Sequence, residues 1–220
     1  MSAPCGRRFA WALMLSLAAS PAVFGEAVFS SPLTEAAKPR FLSLCADLSA
    51  RPVIRGSFEL RRAVKKLDRV MVSSGNFIIS AEHGIIWDTK KPFPSTMTMG
   101  RDFIRQTTPD GSGSALSAQG NETFLRFSEV MRALFTGNPA KLLSGFQAYF
   151  TESPWHWELG LIPRDAVIQG FIERIAMNGE GGLIRGITVF QRNGDAASYA
   201  FSGQRFEGLS PQERELFNGD

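Results

Sequence analysis

The sequence predicts an α+β protein in which an antiparallel sheet curves around a helical insertion. Segments with a two-residue apolar alternation fall into two groups, residues 53–107 and 147–208, and a helical pattern separates them. The links between neighbouring segments are short, whereas parallel strands would need crossovers of about a dozen residues or more. The sequence shows no internal repeat. We therefore expect a single domain built on one antiparallel sheet.

The first 25 residues have the three-part pattern of a signal peptide. A short basic start is followed by the apolar run Phe9–Ala19, and small residues at Gly25 and Ala27 offer a cleavage point. The apolar run is shorter than the roughly 20 residues that span a bilayer. We expect export with cleavage near residues 25–27, which leaves residues 26–220 as the folded domain.

The expected mature chain is close to neutral. Loss of residues 1–25 removes two arginines and no acid, so the net charge falls from +3 to +1, with 22 basic and 21 acidic residues. This balance gives no support to nucleic-acid binding. Cys45 becomes the only cysteine, which excludes an intramolecular disulfide. Its apolar neighbours Phe41, Leu44 and Leu48 predict a buried, unreactive thiol.

The first group of elements begins with a helix and continues with strands. Apolar residues at three- and four-residue spacing predict a helix over residues 32–50. Phe58 and Leu60 share one face of the strand that follows. The stretch SSGNFIISAEHGIIWDTKKPFPST predicts a hairpin that turns at Glu82-His83-Gly84 and ends at two prolines. The stretches STMTMG and DFIRQT predict two further strands.

The second group of elements follows a polar segment. Residues 107–120 are rich in glycine and serine, and we interpret them as a mobile loop. A helix capped by Asn121 should run to Thr136, and a shorter helix should cover residues 139–146. Five strands complete the pattern, and Ser210 is a good N-cap for one or two final helical turns.

The sequence offers little for catalysis. Its two histidines, His83 and His156, lie in a predicted exposed turn and between two tryptophans. No cluster of histidine, cysteine and acidic residues has metal-ligand spacing, and no phosphate-binding glycine motif is present. The segment GSGSA lies in a polar loop and is not a nucleophile elbow. We predict no enzyme activity, no metal and no cofactor; an enzyme acting on lipids would depend on His83, His156 or Cys45.

Apolar bulk is the unusual feature of the chain, which contains 18 phenylalanines. Trp155, Trp157, Leu159 and Leu161 alternate along one predicted strand, and methionines such as Met97 suit an adaptable apolar surface. An ordinary filled core explains any one of these residues, whereas the whole set favours an apolar cavity for acyl chains. The predicted floor comprises Phe58, Leu60, Phe77, Ile79, Ile85, Trp87, Met97, Met99, Trp157, Leu159 and Leu161, and the predicted inner side of the lid comprises Phe124, Phe127, Met131 and Leu134.

The residues from about Phe41 to Phe206 resemble the LolA-like outer-membrane lipoprotein carriers. A Gly-x-Phe strand, a Ser-Gly-x-Phe strand and a Gly-x-x-Trp strand before a proline turn occur in this order, ending at Phe58, Phe77 and Trp87. Further on, a Trp-x-Leu-x-Leu-x-Pro strand precedes a Gly-Asp turn and an aromatic strand. The order and spacing of these motifs carry the resemblance, and no single motif is diagnostic.

The resemblance implies an incomplete, half-open antiparallel β-barrel of about ten or eleven strands, with helices forming a lid over an apolar cavity. It also implies a periplasmic protein of a Gram-negative envelope that carries lipoproteins from an inner-membrane transporter to an outer-membrane receptor. We expect a monomer. At one position the sequence departs from the family, because Glu82 stands where an arginine would hold the lid shut. That latch does not transfer to this chain.

Three functions therefore remain open. The protein carries lipoprotein acyl chains, or it carries another lipid (polyene-type or glycolipid) in association with an exporter, or it is a non-binding accessory protein of the envelope. In the third case its own side chains fill the interior. Saturable uptake of a fluorescent fatty acid separates the first two functions from the third.

Overall fold

The centre of the protein is one antiparallel sheet of 11 strands. The computed structural model describes residues 25–117 and 122–218, and it describes all of their side chains except those at positions 116, 117, 122–125, 127 and 128. The strands are β1 (Val53–Val64), β2 (Arg69–Ser80), β3 (Gly84–Lys91), β4 (Ser95–Met99), β5 (Phe103–Thr107), β6 (Gly113–Ser117), β7 (Phe146–Ser153), β8 (His156–Pro163), β9 (Ile172–Glu180), β10 (Leu183–Gln191) and β11 (Ala196–Arg205).

The sheet is not closed into a barrel. Its strand order is β6-β5-β4-β3-β2-β1-β11-β10-β9-β8-β7, so β6 and β7 form the two edges. This arrangement confirms the predicted fold class, an incomplete antiparallel barrel in an α+β protein. The edge of β7 is partly covered, because the Leu33 N–H donates to the Ala148 carbonyl oxygen (3.0 Å) and Pro32 forms a bridge with Tyr149.

Helices flank the sheet. In the described part of the chain they are α1 (Lys38–Ser49), α2 (Glu122–Thr136), α3 (Pro139–Gly145), α4 (Ala166–Gln169) and α5 (Pro211–Leu216), with short 3-10 helices at Ala27–Ser30 and Lys65–Leu67. The first helix begins at Lys38 rather than at residue 32, because Pro39 suits a first turn but would break a helix interior.

Gly137 lets the ends of α1 and α2 pack closely. It follows α2 with a φ of 58°, a left-handed conformation that glycine adopts at helix ends. A Cβ atom added at Gly137 would lie only 2.7 Å from the Cβ atom of Leu48 on α1. The absent side chain therefore permits a direct contact between the two helices.

One face of the sheet, the inner face, packs against α1 and α2. The strand register places Phe58 opposite Gly75 and Phe201, and it places Phe77 opposite Trp87. Residues directly opposite each other point to the same side of a sheet, so these rings share the inner face. The inner face and the two helices form one core cluster, to which the helices contribute Phe41, Leu44, Cys45, Leu48, Ala133, Leu134 and Phe135.

The outer face is covered in two places, by the segment before α1 and by the segment after β11. Val28 is 1% exposed and packs over β8, where Gly160 leaves room for it. A Cβ atom at Gly160 would lie 2.9 Å from Val28 Cγ1. In the second place, Leu209 and Phe217 pack on Ile86 in a separate apolar cluster.

An ion pair holds α5 against the outer face. Arg55 Nη1 donates to Glu213 Oε1 (2.8 Å), Arg55 Nη2 donates to Oε2 (3.1 Å), and both side chains are mostly buried. Glu213 also forms a capping box with Ser210, since each side chain accepts a hydrogen bond from the backbone N–H of the other residue. The hydrogen bond from Arg55 lowers the pKa of Glu213 below its ordinary value.

Three further details of the sequence-based prediction were wrong. Residues 107–120 are not only a loop, because Gly113–Ser117 pair with β5 as an edge strand. Trp155 lies in the turn between β7 and β8 and is 84% exposed, so it does not share the face of Trp157. The second strand begins at Arg69, well before the apolar run that predicted it, because β1 continues to pair with it as far as Val64.

We expect Glu213→Gln to lower the free energy of unfolding by about 2 kcal/mol, because Arg55 loses its charged partner in a mostly buried position. The pKa of Glu213 is lowered in the folded state, so its contribution is present above the unfolded pKa of about 4.3 and is lost as pH falls through the folded value. The difference in the free energy of unfolding between the wild type and the variant should therefore decrease below about pH 4.

Urea denaturation at neutral and acidic pH measures both effects. Glu215→Gln is the matched control, since Glu215 is exposed on the same helix. Equal stabilities of the two variants at neutral pH would contradict the role of the ion pair.

Candidate functional site

The predicted cavity residues come together on the inner face and its covering helix. The members that are at most 4% exposed are Phe58, Phe77, Ile79, Ile85, Met99, Leu134, Trp157, Leu159 and Leu161, and all belong to the core cluster. Leu60, Trp87 and Met131 are half-buried and pack against this cluster, and Met97 is half-buried. The side chains of Phe124 and Phe127 lie outside those that the structure describes.

Trp87 stands at the centre of an aromatic cluster on the inner face. Its ring centroid lies 4.6 Å from that of Phe58, 5.3 Å from that of Tyr199 and 5.9 Å from that of Phe77. Aromatic pairs at such distances contribute about 0.5–1.5 kcal/mol beyond the area that they bury. The cluster is thus a stable, wide apolar surface that spans β1, β2, β3 and β11.

The aromatic cluster reaches both the covering helix and solvent. Phe201 makes an edge contact with Phe135 of α2, with the ring centroids 6.0 Å apart. Trp87 and Tyr199 are only half-buried, so the cluster is not sealed on every side. Burial raises the pKa of Tyr199, which stays protonated. Sequence reasoning missed Tyr199 and Phe201, although the alternation in ASYAFSG places them on one face.

Trp157, on β8, is a buried tryptophan of the same core cluster. Its indole lies against Gly179, where an added Cβ atom would be 2.3 Å from the ring. Its Nε1–H donates to the carbonyl oxygen of Gly181 (2.8 Å), so the one polar atom of the ring is satisfied. Phe41 of α1 packs on this side of the interior through an edge contact with Phe150, with the ring centroids 6.0 Å apart.

The described side chains cover the inner face in this arrangement, with Phe41, Leu134 and Leu161 among the largest fully buried residues. An acyl chain therefore needs a helix to move before it can reach the inner face. A groove of about 500 Å³ runs beside α2 and leaves one flank of that helix uncovered. It is lined by Arg126, Glu129, Val130, Ala133, Lys141, Ser144, Gly145, Phe146, Pro163, Arg164, Asp165 and Ile168.

The described side chains include no group of three or more histidine, cysteine, aspartate or glutamate residues placed to hold a metal ion. His83 is half-buried rather than exposed, with Nδ1 3.2 Å from Ser80 Oγ. His156 is exposed next to Glu158. Cys45 is 1% exposed, as predicted, and burial raises the pKa of its thiol to about 11, which makes it unreactive at neutral pH.

Within residues 25–117 and 122–218, none of the helices is long and apolar enough to span a bilayer. No protein-family model matches the chain, and no curated protein is similar to it in sequence.

Several solved structures are similar to this chain in fold. A LolA superfamily protein from Nitrosomonas europaea aligns with a TM-score of 0.42 and 10% identity, over 78% of this chain and 95% of its own. The lipoprotein LppX of Mycobacterium tuberculosis aligns with a TM-score of 0.49 and 11% identity, over 80% and 99%. A domain described as an outer membrane lipoprotein-sorting protein, from Vibrio parahaemolyticus, aligns with a TM-score of 0.41 and 11% identity, over 82% and 99%.

The matched structures include LolA-type proteins, which the sequence motifs also resemble. The half-open sheet with its covering helices follows from the strand order of the chain itself.

Cys45 can report whether α1 leaves the inner face. In a Cys5→Ser background at pH 8, we expect Cys45 to react with a disulfide reagent at least roughly 100-fold more slowly than an exposed thiol, because burial raises its pKa to about 11 and blocks access. Absorbance at the reagent's product band measures the rate.

The matched control places a thiol on the exposed side of the same helix, as Ser43→Cys combined with Cys5→Ser and Cys45→Ala. Similar rates for the two thiols would mean that α1 does not stay on the sheet in solution.

Proposed function

We propose that this chain is a non-enzymatic carrier that holds the acyl chains of a lipid against the inner face of its sheet. The observation that carries the proposal is the aromatic cluster around Trp87. It extends from the buried rings of Phe58 and Phe77 to the half-buried ring of Tyr199, and the half-buried Leu60 lies next to Tyr199 on the neighbouring strand. An acyl chain could follow this continuous apolar surface from solvent into the core. No polar chemistry is required, because each buried methylene contributes about 0.8 kcal/mol.

The helix that moves in this proposal is α2. Together with α3 it forms the connection between β6 and β7, the two edges of the sheet, so it covers the opening of the half-barrel. Its displacement would expose Leu134 and Phe135, and an entering acyl chain would restore the lost apolar burial. The groove beside α2 supports this choice, because that flank of the helix meets its neighbours mainly through the largely exposed ion pairs Arg126–Asp165 and Glu129–Lys141.

In its full form, the proposal is a periplasmic, monomeric shuttle for lipoproteins, loaded by an inner-membrane transporter and unloaded at an outer-membrane receptor. The order of the LolA-like motifs and the half-open sheet support it. Export would depend on the signal peptide in residues 1–25, of which residues 1–24 lie outside the described residues. A polyene-type lipid or a glycolipid would use the same apolar surface, and native mass spectrometry of the protein from its own periplasm distinguishes these cargoes by mass.

The burial of the described inner-face side chains favours a second candidate function. A protein whose inner face is already covered by Phe41, Leu134 and Leu161 could serve as a structural accessory of the envelope without binding any lipid. The two functions differ in one measurable property, the saturable uptake of an acyl chain.

We expect wild-type protein to bind a fluorescent fatty acid saturably and Trp87→Ala to weaken the binding about tenfold. The substitution removes one face of the acyl-binding surface, and a tenfold loss corresponds to about 1.4 kcal/mol, in the range of burying part of an aromatic ring. Fluorescence titration with fatty-acid displacement measures the affinity, and thermal unfolding checks that each variant is folded.

Trp155→Ala is the matched control for Trp87→Ala, since Trp155 is 84% exposed and lies outside the core cluster. Its affinity should stay within about twofold of wild type, because its ring has no place on the proposed surface. Absence of uptake by the wild type would favour the accessory role. Equal losses in both variants would refute the assignment of the site.

A further inference from the structure

The ends of β1 and β2 extend past the end of β3. The two strands β1 and β2 pair as far as Val64 and Arg69, whereas β3 pairs with β2 only from Ser74 onward. We call residues 61–72 the arm. Every residue of the arm except Val64 is exposed. On one side the arm stays joined to the sheet, because β1 pairs with β11 as far as Ala63 with Ala196. Its other edge, along β2, and both of its faces are exposed.

The arm carries apolar side chains on both faces and at its tip. Val70 (57% exposed) and Val72 (46%) point to one side, Met71 (50%) points to the other, and Leu67 (62%) lies at the tip. Phe93, which is 81% exposed, adds an aromatic ring in the next hairpin turn, between β3 and β4. A protein partner that docks on a sheet covers one face. Apolar groups on both faces suit a medium that contacts both faces of the arm, and the interfacial layer of a bilayer is such a medium.

The arm is also strongly basic. Its cations outnumber its single acid, Asp68, by five to one, which gives a net charge of +4 in a chain of net charge +3. Among the described side chains, only Arg61 of these cations has an ion-pair partner, Glu59 at 2.8 Å. Near an anionic membrane each cation strengthens binding by on the order of fivefold. The cations of the arm are Arg61, Arg62, Lys65, Lys66 and Arg69.

The tip of the arm is fixed to the body of the protein. The Lys65 N–H donates to Asp195 Oδ1 (3.0 Å), and Asp195 is 7% exposed in the turn between β10 and β11. This contact holds the tip in one orientation, so the apolar and basic side chains are presented together.

We propose that the arm docks the protein on an anionic lipid surface, with Leu67 and Met71 among the headgroups and with Lys66 and Arg69 on the lipid phosphates. Long basic side chains suit this position, because their stems lie along apolar groups while their charges reach the phosphates. The interaction does not require an acyl chain in the interior. It also brings the half-buried end of the aromatic cluster close to the bilayer, since Leu60 lies two residues before Arg62 on β1.

Vesicle cosedimentation of the full chain tests the proposal. We expect binding to phosphatidylcholine vesicles that contain phosphatidylglycerol, weak binding to vesicles of phosphatidylcholine alone, and loss of binding as salt screens the charges. The pair Lys66→Glu and Arg69→Glu should weaken binding at least about tenfold. The matched control is Arg205→Glu with Arg214→Glu, which changes the charge equally at exposed positions near the other end of the sheet, and it should bind within about twofold of wild type.

The apolar contribution has its own pair of variants. Leu67→Ser with Met71→Ser should weaken vesicle binding by about fivefold, whereas Leu42→Ser with Leu216→Ser, at side chains 41% and 43% exposed, should leave it unchanged. Wild-type protein that stays in solution with the anionic vesicles, or arm and control variants that bind equally, would overturn the proposal.

The outcome is independent of the proposed carrier function. Arm variants should retain fatty-acid binding, and Trp87→Ala should retain vesicle binding, because Trp87 lies on the inner face outside the arm. Loss of vesicle binding in Trp87→Ala would mean that membrane binding depends on the interior and not on the arm.

Discussion

The structure depends on one constraint, which is that an apolar sheet face with two unjoined edges must be covered by something other than strands. A closed barrel satisfies its edges by pairing them, and an open sheet cannot. Here the segment that connects edge strand β6 to edge strand β7 contains α2 and α3, so the same piece of chain bridges the opening and supplies the apolar cover. The contact of Phe135 with Phe201 and the close approach of Gly137 to Leu48 both follow from this arrangement.

The elements that cover the sheet differ in how firmly they are held. Helix α5 on the outer face is held by the bidentate ion pair of Arg55 with Glu213. On α1, Arg40 forms an ion pair with Glu152 (3.2 Å), and Arg51, just after the helix, donates to the carbonyl oxygen of Gly182. The described end of α2 packs on the inner face through apolar side chains, which attract without a preferred direction. Its ion pairs, Arg126 with Asp165 (3.8 Å) and Glu129 with Lys141 (3.6 Å), are largely exposed. Apolar contacts can be replaced by another apolar surface, whereas a paired charge loses its partner when it moves. The carrier proposal assigns the movement to α2, because its contacts with the inner face are apolar and exposed ion pairs such as its own contribute little.

Much of the fold could be predicted from the sequence, because the periodicity of an apolar face is a local property of the chain. Phe58, Phe77 and Trp157 lie on the inner face as their alternation indicated. Trp155 shows where that reasoning fails, since the alternation continues into a turn that only the pairing of β7 with β8 defines. The arm shows the same limit: Val70 to Val72 have no apolar periodicity of their own, and pairing with β1 makes them a strand. Whether the interior is hollow or filled was also beyond prediction, because it depends on the distance between the helices and the sheet.

An inner face that is already covered changes how the affinity of a carrier should be understood. A guest that enters a preformed cavity gains the full apolar burial of its chain, whereas a guest that displaces α2 gains only the difference between its own contacts and those of Leu134 and Phe135. The apparent affinity falls further by the fraction of molecules in which the helix has moved. Both effects weaken binding, and weak binding suits transfer, because a carrier must release its cargo to the next acceptor. A protein that shields its own apolar face between encounters also avoids exposing that face to other proteins. The closed arrangement is therefore the state in which an unloaded carrier would be expected to persist.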